Sequence, residues 1–63
     1  MYVVLDSRSS RIWQFDQLED ALSKLGEVTT VSDPEWVIQS QLDLLARYSI
    51  VTGNHWAEIF KRP

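Results

Sequence analysis

Sixty-three residues without a cysteine must be held together without disulfide staples. A domain of this size buries only about 60% of the surface its unfolded chain exposes, so it folds with little in reserve. Disulfides, a structural metal or self-association commonly reinforce such small folds. The first is ruled out, and a lone histidine, His55, cannot furnish the four ligands of a closed zinc site. Close packing and homodimerisation remain, and no metal or cofactor is expected. The length accommodates one domain over residues 1–63. Met1-Tyr2-Val3-Val4-Leu5 has neither the length nor the basic flank of a secretory leader. No apolar run approaches the roughly 20 residues of a membrane span. A cytoplasmic protein is the expectation.

The apolar pattern divides the chain into strands and helices. Tyr2 to Leu5 is almost wholly apolar and β-rich, Ser7-Arg8-Ser9-Ser10 is a polar turn, and Arg11-Ile12-Trp13-Gln14-Phe15 alternates. Together they predict a β-hairpin with Arg11, Trp13 and Phe15 on one face. Asp16 and Glu19 have capping-box spacing for a first helix with the stripe Leu18, Ala21, Leu22 and Leu25, closed by Gly26 in a left-handed stop. Glu-Val-Thr-Thr-Val (27–31) is β-branched and suits an edge strand. A second helix is predicted from the cap Asp33 and first residue Pro34 to about Arg47 or Tyr48.

Beyond it, Ile50-Val51-Thr52 and His55 to Phe60 flank Gly53-Asn54, which suits a type II′ hairpin turn. In the alternative, the helix continues to Val51 and a single strand follows. Lys61-Arg62-Pro63 reads as a frayed tail. The fold class is therefore α+β, a small antiparallel sheet with two helices on one face in the order ββα(β)αββ. Its expected core is Val3, Leu5, Leu18, Leu22, Leu25, Val28, Val37, Ile38, Leu44, Leu45 and Ile59. The other face of the sheet would be bare, with Trp13 or Trp56 on it.

Charge is modest overall, at −3, but unevenly placed. Residues 16–43 hold seven acids against one base, Lys24, whereas the flanks hold five bases against Asp6 and Glu58. If the two ends of the chain meet in space, the molecule acquires a dipole that can steer association. Acids gathered at helix starts are also what the helix macrodipole favours.

No residue pattern points to a reaction. Asp16, Glu19 and Asp20 are the one acidic cluster, and capping accounts for two of them. His55, beside Gly53-Asn54, reads as a solvated turn residue, and on a strand Glu58 would point to the opposite face. Ser7, Ser9 and Ser10 have no nearby histidine in sequence and sit where turns favour serine. No glycine-rich loop leads into a helix to cradle phosphate. Arg11 to Phe15 faintly resembles a stacking platform, but a pI near 4.8 argues against nucleic-acid binding.

The residue out of place is Trp36. At about 100° per residue, Val37, Ile38, Gln41, Leu42, Leu44, Leu45 and Tyr48 fall in one arc of the second helix. Trp36 lies near the middle of the opposite, polar arc, with Ser40, Asp43 and Arg47 around it. Fully covered, an indole buries about 150–250 Å², on the order of 4–6 kcal/mol before association costs. It either folds onto its own helical turn or anchors a contact. The expected function is a small non-enzymatic protein-interaction module that binds a macromolecular partner, or itself, through Trp36, Ser40, Asp43 and Arg47. The alternative is a nucleic-acid-associated or DNA-mimicking regulatory factor.

Overall fold

The computed structural model describes residues 1–63. The β-rich start forms β1 (Tyr2–Asp6), the four-residue turn follows, and Arg11–Phe15 forms β2. After α1 (Leu18–Val28) and α2 (Glu35–Leu45), the chain returns as β3 (Arg47–Thr52) and β4 (His55–Lys61). The sheet order is β2-β1-β4-β3, antiparallel throughout. The predicted α+β class and paired hairpins are present, with both helices on one side. Gly53 has φ 60° and Asn54 does not enter the positive region, as a type II′ turn requires. The helix-to-Val51 alternative is excluded by β3.

Alternation along the registered strands sorts the side chains between two faces. Toward the helices point Tyr2, Val4 and Asp6, with Trp13 and Phe15 from β2, Tyr48 and Ile50 from β3, and His55, Ala57 and Ile59 from β4. Val4, Tyr48, Ala57 and Ile59 are buried against Ala21 and Leu25 of α1 and Ile38 and Leu42 of α2. Leu18, Leu22 and Val28 pack around this centre.

Several expectations are corrected. Val3 is buried as expected and Leu5 only half-buried, but both point away from the helices, because Val4 is the residue opposite Ile59 and Trp13 in register. The first helix does not stop at Gly26. It runs on to Val28, whose side chain packs on the core, and Thr29 is its extended cap, so 27–31 forms no edge strand. Gln17, not Asp16, holds the cap position, and no side chain caps the helix. Leu18, packed inward, is already the first helical residue, which leaves Glu19 and Asp20 in the first turn to meet the helix dipole.

The second helix is shorter than its apolar period suggests. It begins at Glu35 with Pro34 as cap, and ends at Leu45 because Ala46 turns left-handed at φ 61°. The Ala46 N–H closes on the Leu42 carbonyl, and Arg47 and Tyr48 are released into β3. Asp33 caps nothing. Its carboxylate accepts the Tyr48 hydroxyl at 2.6 Å, and burial, then that carboxylate, push the Tyr48 phenol up to about 12. The C-terminal tail is tied down, since Lys61 N donates to the Ala46 carbonyl and Arg62 N to that of Met1.

Two stability measurements test this account. Leu25 has no accessible surface, so Leu25→Ala should cost about 2–5 kcal/mol in denaturant unfolding, while exposed Leu44→Ala stays within about 0.5 kcal/mol. At Ala46 the left-handed backbone penalises a Cβ, so Ala46→Gly should raise stability by about 0.5–1 kcal/mol.

Candidate functional site

Helix α2 turns Ile38 and Leu42 inward over β3, the edge strand of the sheet. Only this narrow stripe finds cover. Val37 and Gln41 are half-buried, and Leu44 and Leu45, both expected in the core, are 83% and 66% exposed because the helix overhangs the sheet edge. Trp36 is 71% exposed and does not fold onto its own turn. Trp36, Val37, Leu44 and Leu45 therefore make a second apolar stripe that sweeps about half the helix circumference.

The other three predicted contact residues are placed differently. Ser40 lies between Trp36 and Leu44, but its hydroxyl donates back to the Trp36 carbonyl at 2.8 Å, a common bond for a mid-helix serine. Asp43 accepts from Lys61 Nζ at 3.3 Å, tying the end of α2 to β4. Arg47 is not on the helix at all. It belongs to β3, pairs with Phe60 across the ladder, and faces away from the helices.

That bare side of the sheet is the second exposed surface. Gln14, Val3, Phe60 and Arg47 form one cross-strand row, and Ile12, Leu5, Glu58 and Ser49 the next. Beyond Glu58, Trp56 sits opposite Val51. Of the two indoles in question, Trp56 occupies the open face. Trp13 lies on the helical side with the Lys24 ammonium 5.0 Å over its ring, a cation–π contact.

A polar cluster at one end of the sheet escaped sequence reasoning. His55 is buried, not solvated, and its Nε2 meets Asp6 Oδ1 at 2.6 Å. Asp6 Oδ2 accepts from the Ser9 hydroxyl at 2.8 Å, and the backbone N–H groups of Arg8 and Ser9 complete the set. The His55 bond, then that of Ser9, hold the Asp6 carboxyl down to about 2 against the opposing effect of burial. An ionised carboxylate only accepts, so Nε2 carries the proton of the shared bond. Ser7 joins the same corner by accepting the Trp56 N–H on its hydroxyl.

The chemistry of the corner is that of a clasp. Both serine hydroxyls are committed, to Asp6 and to the Trp56 backbone, and neither is bonded to the imidazole. Asp6 and His55 are 49 residues apart, so the pair fastens the β1–β2 turn to the start of β4. Sequence carried one faint signal, an acid at the end of an apolar strand followed by Ser-x-Ser, the pattern of a side chain that caps its own turn.

The seven acids of residues 16–43 are all exposed, and that segment contains α1 and most of α2, while every strand lies in the flanks. The ends of the chain do meet, as neighbouring strands β1 and β4. An acidic helical layer thus covers a sheet layer richer in bases. No helix is long and apolar enough to cross a membrane. Comparison with family models, characterised proteins and solved structures finds no match for this chain.

Asp6 makes acid stability predictable. Its folded value lies below the ordinary 3.8, so the unfolded chain binds the proton more readily. The stabilisation is complete above about pH 4, falls as pH drops through the window from about 4 to 2, and is gone below about 2. Acid titration of thermal unfolding should show this loss in the native chain and a flatter profile in Asp6→Asn.

Proposed function

We propose that this chain is a non-enzymatic protein-interaction module acting in the cytoplasm, and that α2 is the element it offers. The observation that carries this reading is the exposure of Trp36 together with Leu44, two large apolar groups on one helical side. They are eight residues apart, about 12 Å along the axis. Exposed anchors repeated on one side of a helix suit insertion into an apolar groove. Leu45 and half-buried Val37 extend the apolar contact, and Ser40 between the anchors asks nothing of a partner because its hydroxyl is already bonded.

The acids around this helix, Asp33, Glu35 and Asp43, favour a groove with a basic rim. Arg47 belongs to a different surface, so the proposed contact set is Trp36, Val37, Leu44 and Leu45, with Asp43 at its edge. Trp is the residue type that most often dominates such interfaces, and truncating it there commonly costs about 2 kcal/mol or more.

The test is capture of partners from the native host by the wild-type chain, Trp36→Ala and Leu44→Asp, followed by affinity measurement with the recovered protein. Both variants should keep the wild-type circular dichroism and weaken binding by about 30-fold or more. Binding indifferent to Trp36→Ala but abolished between low and moderate salt would overturn this reading in favour of an electrostatic, nucleic-acid-like mode.

A further inference from the structure

The open face of the sheet carries a different kind of surface from α2. Ile12 and Val51, at its two outer strands, are 62% and 71% exposed, and Trp56 is exposed between them. Leu5 and Phe60 are half-buried beside Val3, which is already buried. In the middle lies Glu58, only 2% exposed, with Leu5 and Ser49 across the ladders and Trp56 and Phe60 two residues away along its own strand. Its carboxylate has neither a hydrogen bond nor an ion pair, and its oxygens keep a small contact with solvent. The ion pairs of the chain are Lys24–Glu27, His55–Asp6 and Lys61–Asp43. Arg47 is the one basic strand residue on this face, and it is equally unpaired.

We propose that this face pairs with the same face of a second copy, giving a two-fold dimer of stacked sheets in which each Glu58 is met by the partner's Arg47. Three observations choose a second copy over a foreign partner. An isologous interface has to be complementary to itself, and one unpaired acid and one unpaired base within an apolar surround satisfy that condition. The helical layer, with seven exposed acids, repels its own copy, so the sheet side is where two chains approach without stacking acid on acid. The area is also of the right order. Four strands about 4.8 Å apart and about 20 Å long project about 400 Å² per copy before side-chain relief is added. Two such faces come to about 800 Å² before that relief, which has to raise the area to the roughly 1,000 Å² expected of a specific interface.

Packing two sheets about 10 Å apart interdigitates Ile12, Leu5, Phe60, Trp56 and Val51 from both copies. It also gives the Glu58 carboxylate a cationic partner as it leaves water, without which deeper burial would be strongly unfavourable. A chain of this size, with nine buried apolar residues, gains a second core by this route. The helices remain on the outside, so α2 stays free for the partner described above.

Sedimentation equilibrium and light scattering up to millimolar concentration test the proposal. Wild type should dimerise reversibly. Val51→Lys and Arg47→Glu, both at exposed positions, should retain the wild-type circular dichroism and raise the dimer Kd by about tenfold or more. Trp36→Ala should leave the dimer intact, which separates this interface from the α2 reading. A wild-type chain that stays monomeric throughout overturns the proposal. So does a dimer insensitive to both sheet-face variants, or one lost only with Trp36→Ala.

Discussion

Val4 and Ile59 face each other across the β1–β4 ladder, both without accessible surface, and the pairing of these two strands is the constraint on which the molecule depends. Each hairpin is local, since β1 pairs with β2 and β3 with β4 over short turns. Two-stranded hairpins are marginal alone, and a face broad enough to bury two helices exists only once the strands from opposite ends of the chain meet. Closing that long loop has an entropic cost that local contacts do not offset. The Asp6–His55 clasp sits at one end of this seam and the Arg62 N–H to Met1 carbonyl bond at the other. The ladder between them is thus pinned at both ends.

The seam also determines where charge goes. With β1 and β4 central, residues 1–15 and 47–63 supply the sheet, and the intervening segment becomes the cover. Seven of the nine acids fall in that cover, and the two in the sheet, Asp6 and Glu58, are buried. These two illustrate opposite solutions. Asp6 is surrounded by donors and held ionised, whereas Glu58 has no donor within its own chain.

A four-stranded sheet with two short helices cannot cover everything it exposes. Helix α1 lies over the inner strands and α2 over the edge strand β3, so α2 turns only Ile38 and Leu42 inward. The apolar residues left over gather in two places, the overhanging side of α2 and the uncovered side of the sheet. One is acidic in surround and built on a helix. The other is nearly neutral, flat and self-complementary. That difference is why the two surfaces are assigned different occupants.

The residue pattern alone determined the hairpins, both helices and the turn at Gly53, because periods of 2 and 3.6 and the φ demands of a tight turn are local properties. It also determined that Trp36 stands apart from the stripe containing Ile38 and Leu42. Only the tertiary structure decided which face of each strand is covered, so that Val4 rather than Val3 and Leu5 meets the helices. It also decided that Gly26 does not end a helix whose next turn has Val28 to bury. Arg47 left the helix because Tyr48 found Asp33 and a β4 neighbour, and His55 left solvent because Asp6 waits 49 residues away. Periodicity records which side chains travel together. What they travel toward is set by contacts between distant parts of the chain, and those have no local signature.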